Sequence, residues 1–563
     1  MASSAPTGGD AEPGYDYVIV GAGTAGCVLA NRLSADPGCR VLLLEAGDED
    51  RHPYIHIPLA VGRMHERMMF DWGLESESEP GLGHRPLEAM RGKVLGGSSA
   101  INIMNCTRGH PGDFDRWAAA GASGWSYPEV LPFFRRSERW DGPARPWRGT
   151  DGPVGVRYSG FVDPLNDAWL EAADAAGYPR TDDLNGPDPV GFGRGQAFID
   201  RGRRASAARA YLRPARGRPN LAVRTVAHAT RVLVEGTRAV GVEFVSRGRA
   251  QRVRARAEVL LCAGTFNTPQ LLMLSGIGPT AELARHGLAV RADLPVGENL
   301  QDHVAVGIAF ARRSPGPFHA QMRADRIAMS MLRGWLSGKG PATHLPSGIY
   351  AFLRTREDAS VPDLEFMFRC APAHPRPWFP LLRPPAPDGF GIRPALLHPR
   401  SRGAVTLRSP DPADRVHIRF NLLTEPRDRD VLVDGVERAL ALAHSAPLDR
   451  FRGEMLTGKA DLASREAIEA WIRRTAVTVH HPAGTCRMGA THDDAAVVDP
   501  ELRVRGIDRL RVVDASVMPD MVSAHINACV LMIAERAAAL ILGELQPGAS
   551  PPRSLPSPTR QAA

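Results

Sequence analysis

The chain has 563 residues, 43% hydrophobic and 23% charged, which excludes wholesale disorder and exceeds one compact core, so two domains are expected. A net charge of +7 would suit nucleic acid or an anionic membrane, yet Lys93, Lys339 and Lys459 are the only lysines and no nucleic-acid readout motif is present. The arginine surplus reads as coding bias, and no nucleic-acid partner is expected.

The first segment, Met1–Gly14, is small, polar and acidic, without the basic and apolar stretches of a secretory signal. No apolar run is long enough for a transmembrane helix. The seven cysteines (Cys27, Cys39, Cys106, Cys262, Cys370, Cys486 and Cys529) are odd in number and contain no CxxC pair, which excludes a disulfide framework and a zinc site. A cytoplasmic protein without a metal is expected.

Asp16–Ser34 (DYVIVGAGTAGCVLANRLS) reads as an apolar strand, a glycine turn and a helix, with Gly21, Gly23 and Gly26 spaced as GxGxxG. The first glycine permits the tight turn, the second lets a pyrophosphate approach the backbone, and the third lets helix and strand pack closely. The next strand, RVLLLEAG, ends in Glu45, where a ribose-binding acid belongs. An acid there favours FAD or NAD over NADP. A second glycine-serine loop, Arg91–Gly109 (RGKVLGGSSAINIMNCTRG), offers backbone N–H groups to phosphate or flavin carbonyls, although by itself it could equally be a structural turn.

Further strand-loop-helix units are expected over about 220–303 and 479–545. Between them the pattern changes. Met322–Leu336 reads as an amphipathic helix, either a lid, an interfacial helix or a plain packed one. A Pro-rich aromatic loop follows at Ala371–Pro387, and then the alternating VTLRS and VHIRF runs of antiparallel strands. The arginine-rich 201–218 segment reads as a solvated helix joining domains. Both ends, 1–14 and 546–563, read as flexible tails.

Several motifs in a fixed order carry a resemblance. These are the GAGTAG turn with LLLEAG, GKVLGGSSAIN (Gly92–Asn102), CAGTFNTPQLLMLSGIGP (Cys262–Pro279), VGENLQDH (Val296–His303), HHPAGTCRMG (His480–Gly489), and LRVVDASVMP with HINACVLMIAE (Leu510–Glu535). From Tyr15 to about Leu545 the chain resembles the glucose-methanol-choline (GMC) oxidoreductases, most of all the choline-dehydrogenase-like bacterial alcohol dehydrogenases. The resemblance implies a discontinuous α/β Rossmann-type FAD-binding domain (15–165, 204–310 and 478–545). A substrate domain, α+β on an antiparallel sheet (166–203 and 311–477), is inserted into it.

It also implies FAD contacts at Gly21, Gly23, Thr24, Ala25, Gly26, Glu45, Val94, Gly97 and Ala229. Asn102, Ile103, Met104 and Asn105 fall at the flavin ring, Asp514 and Ala515 at the ribityl-phosphate, and Asn527 at the pyrimidine end. Members with covalent FAD use a histidine where this chain has Ile101, so FAD is expected to be non-covalent.

The resemblance places the catalytic pair at His481 and His525. A neutral imidazole suits removal of an alcohol proton while hydride passes to flavin N5, and its partner orients the substrate oxygen. His480 is expected to point elsewhere on an extended backbone, and Cys486 and Cys529 to be buried small hydrophobes. The expected reaction is oxidation of a small-molecule alcohol to aldehyde or ketone, with a quinone, a cytochrome or oxygen as acceptor.

A photodecarboxylase-like or hydroxynitrile-lyase-like activity is the alternative. The photodecarboxylase branch lacks the HPxGT histidine, and Leu397-His398 stand where its Ala-Cys would be sought. A non-catalytic FAD-binding protein is disfavoured by the complete histidine pair. Choline would need an aromatic cage or an anion, for which Trp72 alone is insufficient. Oligomeric state and peripheral membrane contact are left open by the sequence.

Overall fold

In the computed structural model, residues 14–458 and 462–545 are described. The expected tails, apart from Gly14, lie outside the described residues. Tyr15–Val20 and Val41–Leu44 are short runs of apolar residues, as a strand covered on both faces requires. They pair in parallel at the centre of a sheet. The parallel order is Leu221–Arg224, Val41–Leu44, Tyr15–Val20, the C-terminal half of Arg249–Leu261, and Leu510–Val512. Ala227–Glu235 and Arg238–Ser246 extend this sheet as an antiparallel meander on the N-terminal half of Arg249–Leu261. Three well-separated stretches of chain therefore build one sheet.

The direction of winding reverses between Tyr15–Val20 and Arg249–Leu261. Helices Thr24–Leu33 and Gly264–Leu274 diverge from the carboxyl ends of these two strands and leave a crevice between them.

A second sheet is antiparallel throughout. Its order is Arg452–Met455, Ile308–Arg312, Gly389–Leu396, Leu364–Arg369, Ile349–Leu353 and Gly191–Arg194. Val304–Ala305 joins it beside Gly389–Leu396, and Val477–Thr478 pairs in turn with Val304–Ala305. Alternation along these strands gives the sheet two different faces. Phe366, Phe368, Phe390 and Ile392 face one core, where the Trp169 ring packs, tilted, 4.8 Å from that of Phe368. Tyr350, Phe352, Met367 and Ala395 face the other way, in a separate cluster turned toward the crevice of the parallel sheet. The VTLRS and VHIRF segments form their own ribbon, with Ala404–Thr406 paired to His417–Arg419.

The 201–218 segment departs from its expected solvated form. Ala208–Leu212 is a π-helical turn leading into Arg213–Ala215, and Tyr211 is fully buried. The Tyr211 hydroxyl donates to Glu535 Oε1 at 2.6 Å, and Arg32 grips both oxygens of the same carboxylate. A phenol and a carboxylate that satisfy each other can leave water; the Tyr211 bond ties this turn, and the Arg32 pair ties the first helix, to Asn527–Ile541.

Met322–Leu336 is realised as the helix Ala324–Ser337, which exposes Met329, Leu332 and Leu336. The backbone of the Pro-rich loop at Trp378 hydrogen-bonds to Met322 and Ala324. Among the described residues no helix is long and apolar enough to cross a membrane.

Candidate active site

The crevice between the sheets opens into a cavity with about 2030 Å³ of space, counting its mouth. Its first end is built by the glycine turn. Gly21 has φ +97°, and a Cβ there would stand 2.5 Å from the Cys262 carbonyl oxygen. A Cβ on Gly26 would come within 1.9 Å of the Gly21 carbonyl, and one on Gly97 within 2.7 Å of Gly23 Cα. These glycines are demanded by protein packing. Gly23 is different: a Cβ there would meet nothing of the protein closer than 3.9 Å. The space beside it belongs to the cavity, as expected where a pyrophosphate approaches. The N-terminus of Thr24–Leu33 has no side-chain cap, which leaves its first N–H groups free for an anion.

Glu45 stands at the end of Val41–Leu44 and is 5% exposed. It accepts from Ala22 N at 2.9 Å and Gly47 N at 2.8 Å, and burial pushes its pKa up to about 7. Across the crevice, Asp514 accepts from Gly264 N and Thr268 Oγ1 with one oxygen and from Ser516 with the other. Burial raises its pKa as well. Thr24 Oγ1 donates to Asn527 Oδ1 at 2.9 Å, joining the glycine turn to the last helix. Ala25, Ala229, Ala515 and Gly97 also line the cavity. Gly26 and Val94 do not: Gly26 packs inside the turn, and Val94 is buried in an apolar cluster with Ile55 and Ile101.

Asn102, Ile103, Met104 and Asn105 line the middle of the cavity. Their loop is held by Arg204, which is fully buried and donates to the Asn102 carbonyl at 2.5 Å and to Asn102 Oδ1 at 2.8 Å. Among the described residues no carboxylate pairs with it, and burial draws its pKa down to about 9. Asn102 Oδ1 also accepts from Met104 N, where the chain turns through φ +63°.

His481 and His525 meet at the far end. Their rings lie 4.9 Å apart, edge to face at 89°. His481 Nδ1 lies 2.9 Å from His303 Nδ1, while His303 Nε2 lies 3.1 Å from the Val522 carbonyl. A carbonyl only accepts, so His303 carries its proton on Nε2. Burial and the neighbouring His398 and His525 pull the pKa of His303 down to about 3, so its Nδ1 accepts. His481 must then donate from Nδ1, which leaves a lone pair on Nε2. Burial, His525 and His303 hold the pKa of His481 well below its ordinary 6.5. Asp302 fixes the backbone here, with Oδ1 accepting from His481 N at 2.8 Å and Oδ2 from Thr478 Oγ1. His525 Nε2 is anchored at 2.9 Å by Glu365 Oε1, a carboxylate 1% exposed. Its backbone N–H donates to Thr107.

With a dinucleotide cradle at one end and a buried pair of histidines at the other, comparison with known proteins decides the family. GMC oxidoreductase family models match residues 15–305 and 399–534. The chain is a GMC oxidoreductase. It is 41% identical over 545 residues to an oxygen-dependent choline dehydrogenase of Photobacterium profundum, covering 95% of each chain. It is 41% identical over 552 residues to human mitochondrial choline dehydrogenase, covering 96% of this chain and 92% of the human one. Among solved structures, pyridoxine 4-oxidase from Mesorbium loti superposes with TM-score 0.83 at 34% identity, over 93% of this chain and 98% of that one. A formate oxidase of Aspergillus oryzae gives TM-score 0.87 at 26% identity, over 95% and 99%. As a GMC oxidoreductase the chain has the discontinuous Rossmann-type fold with its inserted antiparallel domain, binds FAD and acts as an FAD-dependent alcohol oxidoreductase.

This GMC oxidoreductase also differs from its sequence reading in detail. His480 is not on an extended backbone; its φ is +63°, and its side chain lines the cavity beside His481. Asp302 and His303 stood in view within VGENLQDH, but the sequence attached no role to either. Glu365 and Arg393 carried no signal at all, each being an isolated charged residue flanked by apolar ones in a strand. Trp72 lines the cavity, but Lys93 Nζ sits 4.4 Å from its ring centre, so that face is already taken by a cation. Leu397 is buried in an apolar cluster and His398 hydrogen-bonds Ser523, so neither lines the cavity. Cys486 and Cys529 are fully buried.

Proposed function

We propose that this enzyme oxidises an alcohol to an aldehyde or ketone, with His481 Nε2 accepting the hydroxyl proton and His525 holding the same oxygen. The observation that carries this reading is the His303–His481 bond, which leaves the lone pair of His481 on Nε2. Bound FAD supplies the two-electron oxidant for the carbinol C–H bond. The glycine turn and the uncapped helix would hold its pyrophosphate, Glu45 its ribose, the Asn102–Asn105 loop its ring, and Asp514 with Asn527 the remaining polar edge. Ile101 has no nucleophile to offer, so the attachment is non-covalent.

Glu365 steadies His525 and Asp302 steadies the His481 backbone. Met367 of the second sheet lines the cavity as well and adds apolar surface to its wall. Electrons leave to a quinone, a cytochrome or oxygen. The unpaired thiols, six of them buried, suit a reducing compartment, and we assign the enzyme to the cytoplasm.

The test is anaerobic flavin bleaching across a panel of alcohols, followed by re-admission of oxygen or a quinone to see which restores the colour. His481→Ala should retain FAD and lose roughly 10²–10⁴-fold in flavin reduction. A fully active variant refutes the assignment of the base. Choline belongs on the panel because the curated relatives bear that name, although the covered face of Trp72 offers it no aromatic cage.

A further inference from the structure

Among the described residues, the carboxylates that line the cavity are Glu45 and Asp514, both at the nucleotide end. Around His481 the wall instead carries Arg91, Arg393 and His480. Arg393 comes from the central strand Gly389–Leu396 of the second sheet, opposite Met367, and shares the cavity-facing side with Ala395. Among the described residues, the side-chain hydrogen bond it makes runs from Nη2 to the Thr478 carbonyl at 3.3 Å. Among the described residues no carboxylate lies within ion-pair distance of it. Glu365 and Asp302 contribute to its field, but Glu365 Oε1 is engaged by His525, and the two Asp302 oxygens by His481 and Thr478. His480 lines the same wall, feels the charge of both arginines, and has a buried Nδ1 without a hydrogen-bond partner among the described residues.

A guanidinium presents five donors in a planar fork that matches a carboxylate, and leaving most of them unused in a pocket wall is costly unless a ligand takes them. We propose that the alcohol oxidised here also bears a carboxylate, bound by Arg393 with the unpartnered His480 nitrogen beside it. This rests on the alcohol-oxidation reading above and names its substrate class, a hydroxycarboxylate. The same two arginines repel a quaternary ammonium, which sets this cavity apart from one fitted to choline.

The test uses the FAD-loaded enzyme with ω-hydroxycarboxylates of two to six carbons, the n-alcohols of equal length, and choline. Anaerobic flavin reduction gives kcat/KM for each, and butyrate serves as a non-reacting probe titrated by flavin absorbance. The best hydroxycarboxylate should exceed its neutral counterpart by roughly 10- to 100-fold, and Arg393→Met should collapse that ratio toward one. Arg393→Lys should keep an intermediate ratio, because it retains charge but not the fork. Butyrate should perturb the wild-type flavin spectrum and not that of Arg393→Met.

The proposal is overturned if n-alcohols or choline are preferred, if the ratio survives in Arg393→Met, or if butyrate does not bind. A general loss of folding or FAD in the Met variant is separated out by the Lys variant and by reading a ratio. If no alcohol of any charge bleaches the flavin, the oxidation reading itself fails, while butyrate binding still reports on the anion site.

Discussion

His481 donates from Nδ1 to Nδ1 of His303 across 2.9 Å, and His303 can accept there because its other nitrogen is committed to the Val522 carbonyl. The identity of the free nitrogen on His481 is thus set two bonds away, by a main-chain oxygen. His303 is a positioning residue, and removing it should be felt without any loss of cofactor. His303→Phe is expected to retain FAD and to reduce flavin roughly 10- to 100-fold more slowly with alcohol. His303→Gln can accept the same bond through its amide oxygen and should recover much of the rate. Equal loss in both variants would point to packing alone.

The acid limb of activity follows from the depressed pKa of His481. A base whose pKa lies below 6.5 is already unprotonated at pH 6.5, so activity is present above the folded pKa and lost beneath it. The rate of anaerobic flavin reduction should stay flat from pH 8 to pH 6.5 and decline only at lower pH. A midpoint at or above 6.5 would contradict the buried, neutral imidazole.

Glu365 and His525 are both buried and joined at 2.9 Å. Glu365→Gln keeps an acceptor near Nε2 but removes the charge that anchors and orients His525. Flavin reduction should fall roughly tenfold, the difference between a charged and a neutral hydrogen bond. Glu365→Ala, which leaves His525 unanchored, should fall further. Both are expected to bind FAD normally, as read from absorbance.

Folding stability should decrease in mild acid. His303 and His480 each have a pKa drawn from 6.5 to about 3, chiefly by burial, with neighbouring histidines adding to it at His303 and Arg91 and Arg393 at His480. The unfolded chain therefore binds more protons than the folded one between these values, and stability is lost as pH falls below 6.5. The slope is at most about 1.4 kcal/mol per pH unit for each histidine. Thermal melts between pH 7 and pH 5 should show the decline, and His480→Gln should flatten it. A melting temperature that rises on acidification would reverse the sign.

The two central glycines of the turn should respond differently to alanine. Gly26→Ala forces a Cβ to 1.9 Å from the Gly21 carbonyl, and about 3 kcal/mol or more of destabilisation is expected. Gly23→Ala has 3.9 Å of clearance from protein atoms, so the FAD-free protein should melt near the wild-type temperature. Its added methyl enters the cradle, and FAD affinity should drop at least tenfold. Melting curves with and without FAD distinguish the two.

The nucleotide end was legible in the sequence because its chemistry is local. A strand, a turn and a helix N-terminus are contiguous in Asp16–Ser34, and the glycines needed there have no substitute among other residues. The order of motifs also revealed that one sheet is made from separated segments. Val94 shows the limit of that reasoning: it lies within a glycine loop that does reach the cavity, yet its own side chain turns into the apolar cluster beneath.

The sequence by itself determined the family and its fold, through motifs in a fixed order, and pointed to the glycine turn and to His481 and His525, which line one cavity. Length alone pointed to more than one core, and the chain builds two large sheets. Tertiary structure alone decided what surrounds the histidines. Glu365 and Arg393 enter from neighbouring antiparallel strands, where a side chain points to the cavity or away from it by the parity of its register. His303 reaches His481 from a loop 178 positions away, and His480 is turned inward by a positive φ. Pairings of that kind depend on how distant segments stack, which no local pattern of residues records.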